Sequence, residues 1–390
     1  MTESVLDMPK KILIVANSDW LLYQFRLPLL RALKMEGLEL ALICPEGENT
    51  NRLQELGYQV LPWNMQRMSI SPIKVIRALA ELIGYYRRFQ PDAVHHITIQ
   101  SIFYGSIAAK LTAIPVVINN FTGLGYIFSQ ARKAFWMRMI ILPILRWAFA
   151  GERIYTVLLN NHDREELLAR ELIREEYSQV ISSDGVDLTR FHPAEGGSNG
   201  PDGMVVLMAS RLLWDKGVAE YVQAAEEIRS KNQEVQFWLA GAPDPGNPTS
   251  IPPEQIQEWK DQDVIEVLGY RTDMPSLLWE ADIAVLPSYH EGVPVFLLEA
   301  AATGLPLIST NLEGCRMVVR EGENGFLIPT GDWKALSDAL QKLITDPGLR
   351  KKMGERSREI VEARYSQELI VSQFLHLYRK LGVLPENSQL

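Results

Sequence analysis

Apolar positions along the chain fall into short, nearly unbroken runs separated by stretches of helical period. In the first half the runs are KILIVAN, LELALIC, YQVLPW, DAVHHI, PVVIN, IYTVLLN and QVISS. A strand covered on both faces shows such continuity, whereas a strand with one wet face alternates. Between the runs lie segments such as Ile73–Phe89, with apolar residues three and four apart as on one side of a helix. Strand and helix in alternation predict a doubly wound parallel α/β sheet. From Asp184 to Gly203 the chain turns into DGVDLTRFHPAEGGSNGPDG, whose Gly/Ser/Asn/Pro cluster reads as a linker. The alternation then restarts with MVVLMAS, VQFWLAG, VIEVLGY, IAVLPS and PLIST. The pattern therefore predicts two Rossmann-like domains, 1–190 and 203–365, with a C-terminal helix over about 366–390 that can cross back to the first. Two open sheets of this kind offer a ligand cleft at the carboxyl ends of their strands.

Composition narrows the class. Of 390 residues 47% are apolar and 22% charged, which suits a globular protein with a large core. The net charge of −9 is uneven: residues 1–190 hold 21 Lys+Arg and 19 Asp+Glu, residues 191–390 hold 18 and 29. An acidic second half argues against nucleic acid as the main ligand. The two cysteines, Cys44 and Cys315, are too few and too far apart for a disulfide framework and suit a reducing, cytoplasmic setting. MTESVLDMPK shows no apolar stretch of a signal peptide. No cluster of His and Cys has metal-ligand spacing, so neither a catalytic metal nor a cofactor is expected.

The candidate chemistry concentrates in the second half. HEGVPVFLLEAAATG, His290–Gly304, carries Glu291 before an apolar helix and Glu299 inside it. Pro294 suits the first helical position, which places Glu291, Gly292 and Val293 in a strand-to-helix loop. The helix N-terminus there favours an anion such as a diphosphate. Glu299, flanked by Leu and Ala, is costly to bury unless a partner such as a sugar hydroxyl bonds it; a structural acid capping a neighbouring loop has the same pattern. ASRLLWDKG puts Arg211 and Lys216 in another strand-to-helix loop, either as a diphosphate clamp or as a solvated pair.

Together SRLLWDKG, LAG, VLGY, PSYHEGVPVFLLEAAATGLPLIST and VREGENGFLIPTGD resemble the nucleotide-sugar domain of family-4 (group 1) retaining glycosyltransferases, which have the two-Rossmann GT-B fold. The resemblance covers nearly the whole chain. It implies that Glu299 binds the ribose of a UDP-sugar donor, and that Glu291 contacts the donor sugar near the reacting centre. It also implies that Arg211 and Lys216 hold the diphosphate, and that Gly292, Val293, Pro294, Tyr270 and Arg271 line the donor site.

The first half is similar to a narrower group. NSDWLLYQFRLPLLRAL, DAVHHITIQSIFYGSIAAKL and INNFTGLGYIFS look like bacterial transferases that act on undecaprenyl-diphosphate-linked sugars, such as the GalNAc transferase of bacterial N-glycosylation. Asn17 stands in the first strand-to-helix loop without the glycines of many relatives. The position of the family's donor-contacting histidine is Ile97, which leaves His95 and His96 either as catalytic substitutes or as structurally satisfied histidines. Gly123 and Gly125 in FTGLGY allow close backbone approach to a ligand, or an ordinary tight turn. Residues 132–151, RKAFWMRMIILPILRWAFAG, combine four cations, no acid and two tryptophans; the stretch reads as an interfacial membrane helix or as a core helix with snorkelling arginines.

The expected function is therefore transfer of a sugar, a HexNAc or hexose, with retention from a UDP-sugar to an undecaprenyl-diphosphate-linked saccharide. The enzyme would be peripheral at the inner face of the cytoplasmic membrane, and metal-free. A transferase with a soluble acceptor and a non-catalytic sugar-binding protein are the alternatives.

Overall fold

The structure is a computed structural model. It describes residues 10–65, 71–124, 132–151, 153–194, 203–231 and 234–386, but no side chain from 132 to 138 or at 140. The described residues divide into two compact units, Met1–Asp184 with Ile370–Leu390, and Gly185–Leu369.

The front unit is built on β1 (Lys11–Ala16), β2 (Glu39–Cys44), β3 (Gln59–Pro62), β4 (Ala93–Ile97), β5 (Val116–Asn120), β6 (Ile154–Leu158) and β7 (Ser178–Val180). They form one parallel sheet in the order β3-β2-β1-β4-β5-β6-β7. The apolar runs are continuous because both faces are covered. One face packs on helix Leu27–Met35 and on the C-terminal helix Gln367–Lys380, whose Ile370, Phe374, Leu377 and Tyr378 enter the core beside Ile12, Ile97 and Ile118. The other face packs on helices Pro72–Phe89 and Ile99–Thr112. The chain's last helix thus belongs with the first sheet because its apolar stripe is buried there, at about 1.5–3 kcal/mol per large side chain.

The back unit repeats the plan with β8 (Met204–Ala209), β9 (Val235–Ala240), β10 (Glu266–Gly269), β11 (Ile283–Leu286), β12 (Leu307–Thr310) and β13 (Gly325–Ile328), ordered β10-β9-β8-β11-β12-β13. β13 has no counterpart among the runs read from sequence. It is four residues long, lies at the sheet edge and follows the turn residues Glu321–Asn324, so it carries no periodic signal. Tyr221 is fully buried and donates its hydroxyl to the carbonyls of Val206 and Trp238, at 2.8 and 3.0 Å, tying its helix to the sheet.

The boundary between units falls at Asp184/Gly185, ahead of the Gly/Ser-rich stretch, of which residues 195–202 lie outside the described set. Val186 binds the Tyr365 carbonyl at 2.8 Å and accepts from Gln367 at 3.0 Å, so this segment is fastened into the back unit. Gly185 has φ +80°, and a Cβ there would come within 2.6 Å of the Gln367 Cα, which explains a residue without a side chain.

Candidate active site

In each sheet the strand order reverses once, between β1 and β4 and between β8 and β11. Ligands of open α/β sheets bind at the carboxyl end of such a reversal. In the back unit that point is flanked by the loop after β8, with Arg211 and Lys216, and the loop after β11, with Glu291 and Gly292.

The two loops are bonded to each other. Lys216 Nζ lies 2.7 Å from Glu291 Oε1, with side-chain exposures of 17% and 12%. The Asp215 carbonyl accepts from Tyr289 N at 2.8 Å and from Ser288 Oγ at 3.1 Å. Tyr289 donates its hydroxyl to Glu220 at 2.6 Å, a bond that pushes the phenol's pKa up. Gly217, between Lys216 and the next helix, has φ +76°, and a Cβ would collide with the Pro287 carbonyl. The close approach of the two loops therefore depends on a glycine there.

A third loop, after β9, joins them. Asp244 accepts from Arg211 at 2.8 Å and Thr249 Oγ1 donates to Asp215 at 3.2 Å. A pocket of about 400 Å³ opens where β8, β9 and β10 end, lined by Arg211, Gly241, Asp244, Tyr270, Arg271 and Met274 among others. Tyr270 is 71% exposed, and Arg271 is held by Asp273 at 2.5–2.8 Å. The volume suits a nucleoside, with an aromatic ring and a guanidinium at its rim.

The helix Val295–Ala302 begins at this place, and Pro294, expected as its first helical residue, is instead its N-cap. Proline has no side-chain acceptor, so no side chain caps the first N–H groups. Glu299 lies on this helix, half-buried, and no hydrogen bond reaches its carboxylate among the described residues. Burial pushes its pKa up from 4.5 to about 7, opposed in part by the charge of Arg190. Arg190 was not singled out in the sequence; its NH2 approaches the Thr272 carbonyl at 3.5 Å, next to Arg271. Asp215, Asp244, Thr249 and Tyr289 were also missed. A hydroxyl or carboxylate in a turn has no pattern of its own, and only the contacts between loops reveal it.

The arrangement offers two cations, an uncapped helix N-terminus, a carboxylate poised between charged and neutral, and a nucleoside-sized pocket. A relative from Campylobacter jejuni, N,N'-diacetylbacillosaminyl-diphospho-undecaprenol alpha-1,3-N-acetylgalactosaminyltransferase, is 30% identical over 373 residues, covering 92% of this chain and 96% of its own. The chain belongs to the group 1 glycosyltransferases. The family described as "Glycosyl transferases group 1" matches residues 195–360, and "Glycosyl transferase 4-like" matches residues 11–161. The UDP-Gal:alpha-D-GlcNAc-diphosphoundecaprenol alpha-1,3-galactosyltransferase of Escherichia coli is 27% identical to this transferase over 324 residues, 80% of this chain and 81% of its own. Among solved structures, sucrose-phosphate synthase from Thermosynechococcus elongatus superposes with a TM-score of 0.77 at 20% identity, covering 96% of this chain and 99% of its own. Anabaena HepE in complex with UDP and glucose gives 0.76 at 17%, covering 95% and 100%. The transferase has the two-Rossmann GT-B fold.

In the front unit of the transferase the candidates are placed differently. Asn17 is half-buried where β1 ends, and Gly123 follows β5 with φ +121°; Gly125 lies outside the described residues. Both imidazoles of β4 are closed inside the unit at 0% exposure. His96 bonds Tyr86 OH and Asn119 Oδ1, each at 2.8 Å, and burial lowers its pKa to about 4. His95 Nδ1 bonds Tyr378 OH at 2.8 Å, and burial together with nearby Arg26 drives its pKa well down. Burial holds both histidines neutral and neither imidazole faces solvent, while His95 Nε2 has no hydrogen-bond partner among the described residues. The helix Arg132–Phe149 buries Leu145, Ala148 and Phe149 while Met139 and Trp147 stay exposed, and Arg146 donates to the Arg170 carbonyl. Among the described residues no helix is long and apolar enough to cross a membrane.

Proposed function

We propose that the protein transfers a sugar, with retention, from a UDP-sugar to an undecaprenyl-diphosphate-linked saccharide in bacterial glycan assembly. What carries the reading is the convergence of Lys216, Arg211 and the uncapped N-terminus of helix Val295–Ala302 on the reversal point of the back sheet. The nucleoside enters the pocket beside Tyr270 and Arg271, and Glu299 accepts hydrogen bonds from the ribose hydroxyls. Arg211 and Lys216 turn from their carboxylate partners to the diphosphate, and the N–H groups of Gly292, Val293 and Val295 complete the cradle. As the sugar–phosphate bond breaks, these donors stabilise charge growing on the leaving UDP, so no metal is needed for that role. Release from Lys216 frees Glu291 to meet the donor sugar.

The acceptor class is supported by the relatives from Campylobacter jejuni and Escherichia coli, both named for diphospho-undecaprenol substrates. The front unit takes the lipid-linked saccharide at the inner face of the cytoplasmic membrane, with residues 132–151 against the bilayer. The test is a panel of UDP-sugars offered with a polyprenyl-diphosphate-linked saccharide or with a soluble sugar phosphate, in EDTA, with the product's anomeric configuration read by NMR. Retained transfer to the lipid-linked acceptor from one UDP-sugar is expected. Transfer only to the soluble acceptor, or an inverted product, overturns the reading.

A further inference from the structure

Just past the carboxyl end of β1, one of the two strands that flank the reversal of the front sheet, the chain departs from regular helix. Leu22–Arg26 is a π-helix between the short turn Asp19–Leu21 and the helix Leu27–Met35. Such a turn closes at i+5 and recurs at functional sites. Its effect here falls on two aromatic residues. Trp20 and Phe25, five apart, would point about 140° from each other on a regular α-helix. Here they meet, with ring centroids 5.1 Å apart and planes at 86°. The edge-to-face contact with Phe25 fixes the indole, yet Trp20 is 50% exposed. Both ends of the turn are anchored. Asp19 is buried, and its carboxylate accepts from Trp20 N at 2.7 Å, Asn49 N at 2.8 Å and Thr50 Oγ1 at 3.1 Å, which ties the turn to the segment after β2. Arg26, 2% exposed, pairs with Asp184 at 2.6 Å. The residues near Trp20 in the chain are polar: Asn17 and Ser18 are half-buried, and Gln24 is exposed.

We propose that the indole face of Trp20 is a platform on which a sugar ring of the acceptor saccharide stacks. One face of a pyranose presents C–H groups of partial positive charge, which suit the negative face of an aromatic ring, while its hydroxyls keep to the rim. A ring already fixed by its neighbour loses little freedom when it is covered, so its pre-set orientation adds to affinity. Ligands of open sheets bind at this edge. A bilayer or an apolar protein partner would call for further exposed apolar residues in the turn. Trp20 is the one exposed apolar residue of Asp19–Arg26, with Leu22 buried and Leu21, Tyr23 and Phe25 half-buried. The platform deepens the proposed function and rests on the reading that the front unit takes a saccharide acceptor.

Calorimetry on the full chain with UDP present compares farnesyl diphosphate with farnesyl-diphosphate-linked GlcNAc, GalNAc and glucose. Inorganic phosphate and the corresponding sugar 1-phosphates form the soluble pair. Wild type should bind at least one sugar-bearing compound about tenfold more tightly than its sugarless counterpart. Trp20→Ala should remove that preference without changing the affinity for farnesyl diphosphate or for UDP. Trp20→Leu, apolar but without a π face, should do the same and decides the matter if the alanine variant is unstable. Trp20→Phe, which keeps an aromatic face, should retain the preference to within about threefold. A preference that survives in the folded alanine or leucine variant overturns the platform, and so does a wild type that prefers no saccharide, linked or soluble. An equal loss for sugar-bearing and sugarless farnesyl compounds also overturns it, because Trp20 would then meet the lipid. If the preference exists only among the soluble pair and Trp20→Ala removes it there, the platform stands and the lipid-linked reading falls instead.

Discussion

Replacing Glu299 with glutamine removes one charge and leaves the shape. The half-buried carboxylate has no hydrogen-bond partner among the described residues, and burial raises its pKa from 4.5 to about 7. The folded state therefore holds a proton between those values that the unfolded chain has released. Stability contributed by this group falls as pH rises from about 4.5 and levels off above about 7. The full difference, at 1.36 kcal/mol per pKa unit, is about 3 kcal/mol. Glu299→Gln cannot ionise, so it should be more stable than wild type by up to about 3 kcal/mol at pH 8 and nearly equal at pH 5. Ligand binding should show the opposite preference. A ribose that donates to the carboxylate favours its charged form, so UDP should pull a proton off Glu299. Affinity of the wild type should then rise about tenfold from pH 6 to pH 8, beyond whatever rise the glutamine variant shows from titration of UDP itself. At pH 8 the variant should bind UDP about tenfold to a hundredfold more weakly, since a hydrogen bond to a charged group contributes about 1.5–3 kcal/mol. Chemical unfolding at the two pH values and calorimetry with UDP read both arms. A variant whose UDP affinity equals wild type at pH 8 refutes the ribose role. Identical stability at both pH values refutes the buried-charge argument.

Lys216→Ala and Arg211→Ala should each lower kcat/KM at least about tenfold, as each removes a charge-assisted contact; steady-state kinetics near wild type for both would dismiss the phosphate assignment. Of the two, Lys216→Ala should also cost stability, because it strands Glu291 at 12% exposure, whereas Arg211 is 59% exposed and its loss should leave unfolding unchanged. Glu291→Gln should reduce turnover more than UDP affinity, and a variant that loses both equally would move Glu291 to the nucleotide. Gly217→Ala should destabilise by more than about 2 kcal/mol through its positive φ and its clash with the Pro287 carbonyl, and wild-type unfolding would show that the loops relax freely.

Much of the architecture was legible in the sequence, because a strand buried on both faces must be apolar along its whole length. The runs from KILIVAN to QVISS and from MVVLMAS to PLIST gave twelve strands in two sets, and the turn-rich Asp184–Gly203 stretch separated them. Arg211, Lys216 and Glu291 could be placed together from sequence because parallel sheets put all their strand-to-helix loops at one edge, whereas their donor roles and that of Glu299 were implied only by the resemblance to family-4 glycosyltransferases. Strand order, and hence which loops flank the reversal between β8 and β11, is a long-range matter that no window of sequence contains. Only the folded chain decided that Lys216 meets Glu291, 75 positions away, and that Asp244 and Thr249 complete the web. The histidines show the limit most clearly. DAVHHI carries two imidazoles at a strand end, and nothing local says whether they face a ligand or the core. The partners that close them in, Tyr86, Asn119 and Tyr378, come from another helix, the next strand and a helix 283 positions further on, and burial among them is what keeps both rings neutral.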